Sequence, residues 1–369
     1  LSYKKIVFTS DILRVTDGSK SRDLFAQNTH WLHHIIRRPL QAATQLPIEL
    51  LEWETNSIFD GQKVYELLNL PATLEGWVKF YYQEEIPKEV IAYFEPFLKD
   101  AIVIGFEVPS YFMKICTALD LPCINMMWDP IRFLDDIFFC FNTNHCAIFD
   151  ALQAYQLSDA LIYQMADLQR ARLMRKGDQT DIEGALILGQ THIDRSLIEG
   201  DRLVTLTDFQ DNLQILGTKG DLWFKKHPFD LSFEQHKTTL ESIGLKLLSN
   251  KPYNTYDLFC SDKITHVAAI SSGATIEAKY FDKSTQTFIT PYYQHYSRPS
   301  THTDSCCVSV FDSFLHANFW ADILKPICSN VYTTQQRIAH KPNRMRHANY
   351  SFWGYEEPAN EQLVVAYGG

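Results

Sequence analysis

Three short segments hold most of the residues able to do chemistry. Gly189-Gln190-Thr191-His192-Ile193-Asp194-Arg195-Ser196 puts an amide, an imidazole and a carboxylate within about one turn of chain. Lys225-Lys226-His227-Pro228 joins cations to a histidine, and Ser271-Ser272-Gly273-Ala274-Thr275-Ile276-Glu277 sets hydroxyls and a glycine at the start of an expected helix. Free N–H groups at a helix start, helped by Ser and Thr hydroxyls and by a glycine that lets the backbone approach closely, suit a phosphate. Lys226 and His227, on a neighbouring strand end, would neutralise the same phosphate. Each motif alone has a plainer reading. Histidine before proline can just end a strand, Ser-Ser-Gly is an ordinary helix cap, and Asp194 by itself reads as an N-cap for the segment after it. Their order, spacing and shared location at strand ends favour the joint reading.

The elements that must position them are legible as apolar runs. Residues 185–188, 221–224 and 267–270 read as three strands, each ending in one of the motifs, and doubly wound sheets gather function at such C-terminal strand ends. Upstream, residues 4–9 form a first strand that enters a loop at Ser10 and Asp11. Residues 101–105, 109–119 and 123–127 read as strand, helix and strand, a βαβ unit covered on both faces. Glu107 lies where that strand meets its helix. There it can serve as a general base or just as a carboxylate placed near a helix N-terminus. A polar helix over 158–175, capped by Ser158, ends at Lys176-Gly177, and the polar, glycine-bounded stretch 177–184 reads as the linker between domains. The expected division is 1–180 and 184–310 as two Rossmann-like α/β domains. A C-terminal helical segment, 311–369, with a helix over about 308–325, is drawn back toward the first domain.

The bulk properties narrow the partners. A chain of 369 residues is long enough for two cores, and a net charge of −10 would repel a nucleic-acid backbone, so no nucleic-acid partner is expected. The eight cysteines, at 116, 123, 140, 146, 260, 306, 307 and 328, have no zinc-like spacing and read as reduced, buried thiols of a cytoplasmic protein. No apolar run reaches the roughly 18 to 20 residues that span a bilayer. The chain opens at Leu1 without a methionine, which reads as an excised piece of a larger multidomain synthase. The first loop (Asp11, Ser19, Lys20, Arg22) reads as solvated or acceptor-touching. The basic Arg337, Lys341, Arg344 and Arg346 read as solvated surface, or as contacts to an anionic membrane or a substrate carboxylate. Tyr292, Tyr293 and Tyr296 suit sugar stacking or core packing.

Lys-His-Pro followed about forty residues later by Ser-Ser-Gly, in the second half of a two-domain α/β chain, resembles the His-Pro and Ser-Ser motifs of bacterial sialyltransferases and Kdo transferases. These are GT-B enzymes that bind a CMP-sugar. The segment LGQTHIDRS at 188–196 is similar to the Gly-Gln-x-x-x-Asp segment of the retaining β-Kdo transferases of O-antigen and capsule synthesis, and Trp128-Asp129-Pro130-Ile131-Arg132-Phe133-Leu134-Asp135-Asp136 looks like that group as well. The resemblance implies an α/β fold of GT-B type, two Rossmann-like domains facing a cleft with C-terminal helices. It implies that His227 and Ser271 or Ser272 hold the donor phosphate and that Glu277 lies near the ribose, with Gln190, Lys226, Gly273 and Thr275 completing the donor site. Asp194 would attack the anomeric carbon.

The donor would be CMP-Kdo and the acceptor a lipid-linked oligosaccharide. The protein would then work in the cytoplasm at the inner face of the bacterial inner membrane, touching it peripherally. No metal or other cofactor is expected, because the leaving group carries one phosphorus and the sequence has no Asp-x-Asp pair. Two alternatives stay open: an inverting CMP-sialic acid or CMP-Kdo transferase, in which Asp194 or Glu107 is a base, and a glycan-binding module without turnover.

Overall fold

The computed structural model describes residues 3–16, 19–53, 58–228, 230, 233–248, 253–290, 307–335 and 338–351, with 19–24 described by backbone alone. Ser19, Lys20 and Arg22 therefore have no described side chains, and Tyr292, Tyr293, Tyr296, Cys306 and Arg337 lie outside the described residues.

Two sheets organise the chain. The first contains β1 (Lys5–Ser10), β2 (Ile48–Leu50), β3 (Ala101–Phe106), β4 (Cys123–Trp128) and β5 (Phe139–Thr143). The second contains β6 (Gly184–Leu188) and, after a small hairpin of β7 (Ile198–Glu199) and β8 (Arg202–Leu203), β9 (Leu222–Lys225), β10 (Lys246–Leu247), β11 (Ile264–Ala269) and β12 (Ser284–Thr287). A last strand, β13 (Val308–Val310), returns to the first sheet, giving orders β13-β5-β4-β3-β1-β2 and β10-β9-β6-β11-β12. The second sheet is parallel throughout. In the first, only β5 runs against its neighbours β4 and β13. This is the mixed α/β layout, with two sheets of mainly parallel strands, that the sequence predicts.

Period-two alternation decides which face each side chain joins. In the first sheet Ile6, Phe8, Ile102 and Ile104 enter one core while Val7, Ala101 and Val103 enter the other. In the second, Leu186, Leu188, Val267 and Ala269 face one way and Ala185, Ile187, Ala268 and Ile270 the other. Both faces are apolar because helices cover both. The helix Asp159–Lys176 follows Ser158, although the Ser158 side chain makes no capping bond, and it ends at Gly177 with φ 85°. Residues 177–183 then lead into β6.

The C-terminal part departs from the expected helix over 308–325. Val308-Ser309-Val310 pairs antiparallel with β5, and the helix is shorter, Ala317–Leu324. A β-branched pair flanking a serine suits the open edge of β5 better than a helix start. The cysteines also differ from a uniformly buried set: Cys116, Cys123 and Cys140 are buried, Cys146 is exposed, and Cys260, Cys307 and Cys328 are partly covered. Among the described residues no helix is long and apolar enough to cross a membrane.

Between β4 and β5 the chain leaves the first sheet as a strap. Ile131, Phe133, Leu134 and Phe138 pack into the core of the second sheet beside Leu186 and Val267. Asp129 accepts from Ile131 N at 2.9 Å and from the Ser309 hydroxyl at 2.7 Å, tying the strap to β13. Arg346, from the helix Arg344–Asn349, is fully buried and donates to the carbonyls of Arg132 at 2.5 Å and Leu134 at 2.9 Å. Asp136 accepts from Met345 N and Arg346 N at 2.7 and 3.1 Å, serving that helix's first turn. Arg346 is thus an internal brace and not a surface or substrate cation.

The strap docks on the second sheet through Glu277. This carboxylate is 5% exposed and accepts from Arg132 N at 2.8 Å and from the Tyr256 hydroxyl at 3.0 Å. Burial pushes its pKa up from 4.5 to about 7, against the lowering effect of Arg132 and Tyr256. The folded state therefore holds this proton more tightly than the unfolded chain, and stability falls as pH rises from about 4.5 to about 7. Glu277→Gln keeps an acceptor and should flatten the upper part of that fall, while Asp11, raised by burial to about 6, still contributes below it. Chemical denaturation of both proteins across that range checks this, and an unchanged slope refutes the assignment.

Candidate functional site

The strand order reverses between β6 and β11 in the second sheet and between β1 and β3 in the first. Loops at the C-terminal ends of such strands diverge and leave a crevice. Gln190 follows β6 and Ser271 follows β11, so both lie at the switch point of the second sheet, with His227 beyond adjacent β9. Asp11 follows β1 and Glu107 follows β3, at the switch point of the first. The two crevices meet. Arg195 reaches the Glu107 carboxylate at 3.1 Å and its carbonyl at 3.2 Å, and Arg14 reaches the carbonyl of Ile193 at 3.3 Å.

Within the second unit the three predicted motifs come together. The Gln190 amide donates to the hydroxyls of Ser196 and Ser271 at 3.0 and 3.1 Å, and its oxygen accepts from Ser271 N at 2.9 Å. Ser271 is fully buried, and its hydroxyl donates to the carbonyl of Ser196. Gln190 and Ser271 thus use their polar atoms to fix the loop that carries Asp194. A Cβ on Gly189 would stand 2.8 Å from the Phe224 ring and 3.1 Å from His227 N, so glycine there lets β6 and β9 bring Asp194 and His227 together.

Asp194 is half-buried and caps the 3-10 turn Arg195–Leu197, accepting Ser196 N on Oδ1 at 2.8 Å. The plainer sequence reading of an N-cap is present in the structure, and it occupies one carboxylate oxygen. His227 is half-buried, and burial lowers its pKa, with Arg132 lowering it further and Asp194 and Asp230 opposing. Burial thus favours the neutral imidazole over the imidazolium. Lys226 is exposed and stands over the Phe233 ring, 5.3 Å from its centroid.

Ser272 is the half-buried member of the serine pair, and its hydroxyl accepts from Ala274 N at 3.3 Å. Thr275 is buried, with its hydroxyl donated to the Ser272 carbonyl at 2.7 Å. Gly273 adopts right-handed angles, φ −56° and ψ −26°, so it is not serving a left-handed turn. Glu277 sits behind this turn, bound by Arg132 N and Tyr256 as described above. Among the described residues no group of three or more His, Cys, Asp or Glu is arranged to hold a metal.

Three residues escaped sequence reasoning, and a fourth, Asp11, sits in an environment other than the loop expected for it. Arg132, in the strap, influences His227, Glu277 and Tyr256 electrostatically. Arg195, directly after Asp194, is 5% exposed and grips Glu107, so Glu107 is held in an ion pair. Asp11, expected in a solvated loop, is buried beneath Trp77 Nε1 at 2.9 Å and the Tyr111 hydroxyl at 2.7 Å. Arg14 lies over the Phe25 and Trp77 rings at 5.0 and 5.2 Å. An arginine inside each quoted motif, Arg132 and Arg195, was the available signal. Nothing local marks Asp11.

No family model and no curated protein matches the chain. Among solved structures it is similar to the beta Kdo 2,7 transferase of Thermosulfurimonas dismutans KpsC, with 13% identity, 87% of this chain and 90% of that chain covered, and a TM-score of 0.39. The beta Kdo 2,4 transferase of the same KpsC gives 11% identity over the same shares, with a TM-score of 0.38. UDP-GlcNAc 2-epimerase of Methanocaldococcus jannaschii, solved with UDP-GlcNAc and UDP, gives 12% identity, 90% and 95% coverage, and a TM-score of 0.27. At these identities and scores, function has to be read from the site's own chemistry.

Proposed function

We propose that this chain is a glycosyltransferase that moves Kdo from CMP-Kdo to an acceptor glycan of a bacterial surface polysaccharide, with retention, through a covalent Asp194 adduct. The observation that carries the reading is the meeting of a carboxylate (Asp194), an imidazole (His227) and the Ser271–Gly273 turn at the switch point of the second sheet, facing the matching crevice of the first. The donor's phosphate lies against His227 and Ser272, and the Arg132 guanidinium supplies positive charge beside them. Gln190 and Ser271 hold the Asp194 loop, and Glu277 fixes the Arg132 backbone beside the ribose.

The steps balance. Asp194 attacks the anomeric carbon as its bond to the CMP oxygen breaks, and CMP leaves with the bonding pair. The acceptor hydroxyl then displaces the carboxylate from the face that CMP vacated and releases its proton to water, which frees Asp194 as the carboxylate and restores the original configuration. The departing monoester is stabilised by hydrogen bonds and one cation, a role that other transferases assign to a divalent metal. The acceptor is a lipid-linked oligosaccharide met at the inner face of the inner membrane.

CMP should raise the melting temperature by preferential binding to the folded state. His227→Ala and Ser272→Ala should each remove most of that rise, and an undiminished rise in both would sink the donor assignment. Transfer should continue in EDTA. Abolition by EDTA with recovery on adding magnesium or manganese would reveal a missed metal site. Asp194→Asn keeps the cap to Ser196 N but removes the nucleophilic charge, so it should bind CMP normally and lose transfer by orders of magnitude. Intact-protein mass spectrometry of the wild type with CMP-Kdo and no acceptor should show an added Kdo on the Asp194 peptide. Near-normal transfer by Asp194→Asn, or an inverted product, would exclude double displacement.

A further inference from the structure

The residues on either side of Asp194 are both held by the first unit. Ahead of it, the Ile193 carbonyl accepts from Arg14 at 3.3 Å. Behind it, Arg195 binds the Glu107 carboxylate at 3.1 Å and the Glu107 carbonyl at 3.2 Å. Those two side chains are only 6% and 15% exposed, so solvent does little to weaken the pair. Glu107 is itself fixed. Its φ is 53°, a left-handed conformation uncommon outside glycine, and its N–H is bound to Met126 O at 2.8 Å. The next residue, Val108, exchanges hydrogen bonds with the buried Asn125 side chain at 2.7 and 3.3 Å. Asp11, buried between Trp77 and Tyr111, acts electrostatically with both Arg14 and Arg195.

We propose that Glu107, Arg14 and Arg195 are positioning residues that set the Asp194 carboxylate from both flanks, so that the nucleophile is poised only while the two units are engaged. The proposal rests on the reading of Asp194 as the nucleophile. When the units part, Ile193 and Arg195 lose these anchors, and the turn is left with bonds from the second unit alone: Ser196 N to the Asp194 carboxylate, Leu197 N to the Asp194 carbonyl at 3.0 Å, and those that Gln190 and Ser271 make to Ser196, none of which grips Ile193 or the Arg195 side chain. Engagement restores both flanks together. The left-handed φ of Glu107, at a strand end in the crevice, fixes the direction of the carboxylate and carbonyl that Arg195 meets. This assigns Glu107 a different task from the general base that its position in the sequence suggests.

Site-resolved hydrogen exchange and steady-state kinetics on Glu107→Gln and Arg14→Met test the idea. Exchange of the Ser196 and Leu197 amides should accelerate about tenfold in both variants while the core amides of β6 and β11 stay protected. The Kd for CMP should stay within about twofold and kcat should fall about tenfold or more, with KM for the donor little changed. Unchanged exchange at Ser196 and Leu197 in both variants overturns the proposal. So does faster exchange spread over both sheets with loss of CMP binding, which would mark a general structural role, and so does local loosening with wild-type kcat. The function reading fails separately. A wild type that releases no CMP from CMP-Kdo sinks that reading, while the exchange data still decide whether the first unit holds the turn.

Discussion

Residues 129–137 belong to neither sheet, yet they run through the interior, and every buried N–H and C=O there must find a partner. That requirement accounts for much of what surrounds the site. Arg346 is buried whole in order to satisfy the carbonyls of Arg132 and Leu134, and Asp136 repays it by accepting from the first amides of Arg346's own helix. Asp129 closes the strap's first turn and ties it to β13. Glu277 takes the one strap amide that points at the second sheet. A strap fixed at so many points behaves as part of the frame, and the Arg132 side chain it carries is placed accordingly.

Charge alternates in sign through the junction, from Asp11 to Arg14 and Arg195 and then to Glu107, with Asp194 and His227 on the second unit and Arg132 on the strap close by. Desolvation decides which of these stay ionised. Burial pushes the Asp11 and Glu277 carboxylates toward protonation and His227 toward the neutral form. Arginine does not yield its proton under the same burial, which is why both contacts across the junction at this turn come from arginine. The Glu107–Arg195 pair gains further because one guanidinium meets a carboxylate and a carbonyl of the same residue, so a single fixed backbone conformation serves an ion pair and a hydrogen bond.

What the sequence disclosed followed from locality. The runs 185–188, 221–224 and 267–270 are apolar because both faces of a parallel sheet are covered, and each stops at a polar cluster because the strand ends there. The Asp194 cap and the βαβ unit were readable for the same reason, since their partners lie a few residues away. Long-range partners were not readable. Asp11 is buried by Trp77 and Tyr111, which are 66 and 100 residues distant, and before folding nothing distinguishes it from any acidic loop residue. Arg346 meets the Arg132 carbonyl across 214 residues, so its basic neighbourhood suggested a surface it does not occupy. The motif residues divided on the same principle. Gln190 and Ser271 were recognised as members of the site, but only the fold shows that their hydrogen bonds face inward to the Asp194 loop.

That division bears on how the site can vary. Gln190, Ser271, Glu277 and Arg346 bind protein groups, and truncating any of them to alanine leaves a buried partner unsatisfied, which usually costs more than the hydrogen bond itself contributes. Ser272 and Lys226 lie nearer solvent and have fewer protein obligations. Substitution at Ser272 or Lys226 therefore disturbs the frame around Asp194 less than substitution at the groups that hold the loop. The geometry of the turn depends on those inward-facing hydrogen bonds more than on the side chains that lie nearer solvent.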